Sequence, residues 1–112
     1  MPLQIRRIIV FAKNVASLAK FYEKKLGLRV LERSDDFVDF DAGACRLALH
    51  RAAKSRPNRT KVCFYAKDVS STRARLIRRG VPMGKDPGPG PGLKLCDARD
   101  PEGNLIQLSN RK

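Results

Sequence analysis

Four short stretches of the chain alternate a uniformly apolar set of residues with a mixed set. The mixed positions are Arg7, Ile9 and Phe11; Arg46, Ala48 and His50; Lys61, Cys63 and Tyr65; and Leu105, Gln107 and Ser109. Successive strand residues point to opposite faces, so each mixed set belongs on one face of a sheet. Cations, aromatic rings, an imidazole and an amide among apolar groups suit the wall of a small-molecule cleft. There the apolar groups bind and a few polar groups orient the ligand. The competing possibility is a solvated face with scattered hydrophobics. The companion positions are Ile8, Val10 and Ala12; Leu47 and Leu49; Val62, Phe64 and Ala66; and Ile106 and Leu108. All are apolar, and they predict the core. Cys63 lies on the mixed side with no histidine assigned as its base, which predicts a buried thiol and not a nucleophile.

The bounds on this chemistry come from composition. At 112 residues the chain is one domain with room for one core. Its 42% hydrophobic and 31% charged residues are those of a globular protein. No run approaches the ~18 apolar residues of a membrane span. The N-terminal sequence MPLQIRRIIVFAKN has a short apolar run and no small-residue cleavage site, so no signal peptide is expected. Cys45, Cys63 and Cys96 are odd in number and form no CxxC pair, which points to buried thiols in a reducing compartment, by default the cytoplasm. The net charge of +13 favours anionic ligands, in a salt-sensitive way.

The elements that must position the mixed faces follow from periodicity and punctuation. Strands are expected at Arg6–Ala12, Leu28–Arg33, Phe37–Asp41, Cys45–Arg51, Lys61–Ala66, Leu93–Asp97 and Asn104–Ser109, with a short one near Val81–Met83. Val15, Leu18, Phe21, Tyr22 and Leu26 form one helical stripe, capped by Asn14 and stopped by Gly27. A second helix, Val69–Arg79, has Asp68 as its cap, a basic outer face and Gly80 as its stop. The segment KDPGPGPG, 85–92, lacks the donors for a helix or inner strand, and DPEG, 100–103, is a turn.

Two halves repeat. Asn14 aligns with Asp68, an offset of 54 residues (68 − 14), and the same offset pairs Val15 with Val69, Ser17 with Ser71 and Arg7 with Lys61. One deletion brings Gly27 onto Gly80. Each half reads as a strand, a helix and three strands. The first spans 4–51, a linker 52–60, and the second 61–110.

These residues resemble the vicinal oxygen chelate superfamily, which includes glyoxalase I, extradiol dioxygenases, and bleomycin and fosfomycin resistance proteins. The resemblance rests on IIVFAKNVASLAKFYEKKLGL, its echo VCFYAKDVSSTRARLIRRGV, and the closing DPEGNLIQL. It spans about residues 4 to 110. It implies an α+β fold of two βαβββ modules forming a cupped mixed sheet, with helices on the outer face, in a homodimer. In metal-dependent members the ligands stand on the first and last strands of each module. The matching positions here are Arg7, Lys61, Ala48 (with His50 two residues on) and Gln107. Lysine and arginine are pure donors, and metal ligation needs lone pairs. One histidine allows no two-histidine site within one protomer.

The expected function is therefore a metal-free cleft of this family, without cofactor, for an anionic small molecule. Arg7 offers a bidentate fork and Lys61 a point charge from equivalent strands; Phe11 and Tyr65 supply apolar walls; His50 and Gln107 supply hydrogen bonds. Whether a reaction is catalysed is left open, as is pairing of the cations with Asp39. One alternative is a glyoxalase-type lyase or dioxygenase with a composite metal site built from two copies of His50. Another is non-specific nucleic-acid binding through basic surface, for which interleaved aromatics and base-reading motifs are missing. Sequestration of cationic bleomycin is opposed by like charge.

Overall fold

The computed structural model describes residues 5, 7–52 and 61–111. The chain divides into two units, 1–56 and 57–112. The fold is α+β, and each unit is a mixed sheet with one helix packed on it. Positions 53–60 of the expected linker, and Arg6, lie outside the described residues.

The first unit contains β1 (Arg7–Ala12), α1 (Val15–Lys20), β2 (Arg29–Arg33), β3 (Phe37–Asp41) and β4 (Arg46–Arg51). The sheet order is β1-β4-β3-β2, with β1 and β4 parallel and the other pairs antiparallel. Parallel pairing of β1 with β4 needs a crossover, and α1 belongs to it. Val15, Leu18, Phe21 and Tyr22 bury the helical stripe against Val38, Phe40, Leu47 and Leu49. The Tyr22 and Phe40 rings lie 6.2 Å apart, and both side chains are fully buried. Ile8, expected in the core, is 39% exposed. It lies on the edge strand, whereas α1 packs over β4 and β3.

The second unit contains β5 (Lys61–Tyr65), α2 (Val69–Arg78), β6 (Leu95–Arg99) and β7 (Leu105–Ser109), in the order β5-β7-β6. β5 and β7 are parallel; β6 and β7 are antiparallel. The order matches that of β1, β4 and β3, so the repeat holds in topology. The expected strand near Val81–Met83 is not formed, and this unit has two strands after its helix, not three. Met83 donates to the Val81 carbonyl, which turns the chain, and Pro82 has no N–H to give a ladder. One backbone bond, Gly84 N–H to the Asp97 carbonyl at 2.7 Å, joins this segment to β6, and the Cys96 thiol of β6 donates back to the Gly84 carbonyl at 3.6 Å. A Cβ on Gly84 would stand 2.8 Å from that oxygen, so only glycine allows the approach. β6 starts two residues later than expected and runs on to Arg99.

The caps repeat down to geometry. The Asn14 and Asp68 side chains accept from Ser17 N and Ser71 N, each at 3.0 Å, with φ, ψ of −123°, 93° and −119°, 97°. Gly27 and Gly80 take positive φ, 79° and 89°. The one-residue mismatch between the halves has a structural home. Residues Phe21–Lys25 form a π turn, in which Leu26 N–H bonds the Phe21 carbonyl five residues back at 3.2 Å. A π turn accommodates one extra residue within a helix, and α2 has none.

Candidate functional site

The helix-free face of the first sheet is ordered in rows by strand register. Arg7, Arg46, Asp41 and Arg29 form one row; Ile9, Ala48, Asp39 and Glu32 the next; Phe11, His50 and Phe37 the third. One end is therefore charged and the other aromatic, and the row between them holds two apolar residues, Ile9 and Ala48, and two acids, Asp39 and Glu32.

At the charged end Arg7 Nη2 and Arg46 Nη1 both reach Oδ2 of Asp39, at 3.0 and 3.2 Å. Asp39 is 2% exposed, whereas both arginine side chains are nearly half exposed. The carboxylate is thus a buried anchor, and its cations still face water. Arg29 pairs with Asp41 at 3.0 Å. The Gly43 N–H and then the Arg29 guanidinium hold the Asp41 carboxyl below the usual aspartate range. Arg7, Arg29, Arg46, Asp41, Leu31 and Cys45 line a hollow of about 480 Å³.

At the aromatic end the His50 ring meets Phe11 edge-on at 6.4 Å and Phe37 at 5.8 Å, tilted by 39°. Phe11 is 57% exposed. With Asp36, Arg51 and Ala52 the three rings line a hollow of about 470 Å³. Arg51 pairs with Asp36 at 3.2 Å, closing one side of it with a neutralised ion pair.

The helix-free face of the second sheet has its own rows: Lys61, Leu105 and Arg99; Cys63, Gln107 and Asp97; Tyr65, Ser109 and Leu95. Gln107 is central. Its Nε2 donates to Asp97 Oδ1 at 2.7 Å, and its Oε1 accepts from Cys63 Sγ at 3.8 Å. Lys61 and Tyr65 are exposed on the same face, and Ser109 is buried; Cys63, expected to be a buried thiol, is exposed on the edge strand β5, Cys45 is half-buried, and only Cys96 is buried as expected. The turn before β7 is fixed by Asp100, which accepts from Glu102 N, Asn104 N and Asn104 Nδ2.

Phe11 and His50 are thus neighbours on the first sheet, with Arg7 two rows away. Lys61, Tyr65 and Gln107 share a face of the second. Three partners were not singled out from the sequence: Arg46 as the second cation on Asp39, Phe37 as the second ring on His50, and Asp97 as the acceptor for Gln107. The β3 alternation Phe37–Asp39–Asp41 carried the signal for two of them. The short turn closed by Ala42 N–H to the Cys45 carbonyl, at 3.1 Å, sets that alternation in step with β4. Asp97 lay inside the expected strand, but its place opposite Gln107 depends on the register between β6 and β7.

The four positions that the resemblance marks for a metal do not fit a divalent cation. Arg7 and Lys61 are donors, Ala48 is a fully buried methyl, and Gln107 is engaged with Asp97 and Cys63. Among the described residues no three His, Cys, Asp or Glu side chains gather in one place. No helix among them is long and apolar enough to cross a membrane. Larger hollows, about 900 and 700 Å³, open at the N-terminal ends of α1 and α2, where Asn14 and Asp68 are spent on capping.

Comparison with known proteins gives consistent relatives. The virulence protein STM3117 of Salmonella typhimurium is 21% identical over 95% of this chain and 83% of its own length. A lactoylglutathione lyase structure from Agrobacterium tumefaciens superposes with a TM-score of 0.79 at 22% identity, over 97% of this chain and 94% of that one. A glyoxalase family structure from Bacillus anthracis reaches 0.83 at 19% identity, over 100% and 98%. At these identities the structures speak for the fold. The family model matches residues 4–108, and the chain belongs to the Glyoxalase/Bleomycin resistance protein/Dioxygenase superfamily.

Proposed function

We propose that this protein binds a small anionic molecule on the helix-free face of its first sheet, without a metal. The observation that supports this is the sharing of Asp39 by Arg7 and Arg46. The hollow beside them is lined by the guanidinium groups of Arg7, Arg29 and Arg46 and by one carboxylate, that of Asp41, while Asp39 lies buried and Glu32 stands beside it in register. Each arginine has five N–H donors in a fixed fork, and its partner takes only part of them. All three arginines line the hollow, where a carboxylate or phosphate would accept the donors left over. Asp39 holds both forks in place before the ligand arrives, which lowers the ordering cost of binding.

Lys61, Tyr65 and Gln107 bring a cation, an aromatic ring and an amide oriented by Asp97 to the second sheet. Calorimetry or native mass spectrometry of the full chain with carboxylates and inorganic phosphate tests the assignment. Binding should weaken at least tenfold in Arg7→Ala and Arg46→Ala and less in Lys61→Ala. Unchanged affinities in all three variants would sink it. Stoichiometric nickel, zinc or iron in protein purified without a histidine tag would favour a metal-dependent lyase or dioxygenase instead.

A further inference from the structure

We infer that the ligand of this face is a carboxylate or phosphate that also carries an aryl group, and that the ring sits in the Phe11–Phe37–His50 hollow. The inference rests on the proposed anion site and extends it to a second subsite. Strand residues rise about 3.3 Å each, so four residues put the Arg7 row roughly 13 Å from the Phe11 row. The guanidinium groups do not stay in their own row. Both are drawn onto Asp39 in the middle row, next to that of Phe11, His50 and Phe37. One row is two residues, or about 7 Å. The anion position and the ring position thus lie roughly 7 to 13 Å apart.

Of the middle row, Ile9 is the apolar side chain that reaches the surface between them, 41% exposed beside the fully buried Ala48, and it favours an apolar linker over a polar one. At the far end three rings meet at 5.8 and 6.4 Å, and Phe11 leaves much of its surface to water. Aromatic groups pair edge-on or offset at centroid separations of 4.5–7 Å, the spacing already present among these three. The neighbouring Arg51 is neutralised by Asp36, so this end has no unmatched charge to prefer a second anion. The recognised chemistry is an ω-aryl carboxylate or aryl-bearing phosphate with a short aliphatic spacer.

The test uses the full chain and three probes: butyrate, 4-phenylbutyrate and inorganic phosphate. Calorimetry should give 4-phenylbutyrate at least about tenfold tighter binding than butyrate, from the apolar area of the ring. Phe11→Ala, at an exposed position, should remove that gain and leave butyrate unchanged. Arg46→Ala should weaken all three probes. The chain has a single histidine, so its imidazole proton resonances are assigned without mutagenesis. They should shift with 4-phenylbutyrate through the ring current and not with butyrate. Equal binding of the two carboxylates, with an unmoved His50 signal, overturns the aryl subsite and leaves the anion site standing. No binding of any probe overturns both.

Discussion

Arg7 and Asp39 form a 3.0 Å ion pair that crosses a whole strand. Arg7 is on β1, Asp39 on β3, and β4 runs between them. The residue beside Asp39 on β4 is Ala48, and its small side chain leaves the passage open. Replacing Ala48 with leucine should block the pair, lower stability and weaken anion binding together. A thermal melt and the calorimetry above would read both effects.

The shared carboxylate predicts non-additivity. Arg7→Ala and Arg46→Ala should each cost only about 1 kcal/mol, because both side chains are half solvated and one cation remains. The double variant should cost clearly more than the sum, since Asp39 would be buried without a cation. Urea denaturation of the four proteins supplies the cycle; simple addition would show that the two pairs act independently.

The repeated caps should be energetically equivalent. Asn14→Ala and Asp68→Ala remove matching bonds to Ser17 N and Ser71 N, and each should destabilise by about 1 kcal/mol. Asp68→Asn should cost little, because an amide oxygen can take the same bond. Denaturation midpoints distinguish these outcomes.

Two aspartates should titrate low. The Ser70 hydroxyl, at 2.6 Å, and then the Gly88 N–H hold Asp86 below the ordinary aspartate value of about 3.9. The Gly43 N–H and Arg29 do the same for Asp41. A lowered folded-state pKa means that the folded chain binds fewer protons there than the unfolded chain. The stabilisation is therefore fully present above the ordinary value and is lost as pH falls through the lower folded values. Carboxyl-carbon NMR should give depressed midpoints for both. Ser70→Ala should raise that of Asp86 and leave that of Asp41 alone.

The three thiols should react in order of exposure. Cys63 is exposed, Cys45 half-buried and Cys96 buried. Burial also pushes the Cys96 thiol up, which lowers its thiolate fraction further. Timed alkylation followed by peptide mass analysis should label Cys63 first and Cys96 last, and Cys96 only as the chain unfolds.

Much of this architecture was legible because punctuation repeated in register. Asn14 with Gly27, and Asp68 with Gly80, bracketed both helices, and period-two alternation placed the two faces of β1, β4, β5 and β7. The π turn was visible only as a one-residue mismatch, since a helical stripe does not distinguish a widened turn from a regular one. The strand near Val81–Met83 failed because a short apolar run around a proline cannot supply a ladder. Pairings across strands, such as Arg46 with Asp39 and Asp97 with Gln107, depend on hairpin register, which alternation within one strand does not fix.

The proline-rich segment beside β6 bears on what happens between molecules. β6 is the outer strand of its sheet, and an outer strand with unpaired backbone groups invites another chain to extend the sheet. Pro82, Pro87, Pro89 and Pro91 are all in the stretch that leads into it, and none can donate to a ladder. Gly84 already occupies the Asp97 carbonyl. A crowded solution of this protein should therefore resist fibril growth from that side, and replacing these prolines would remove the brake.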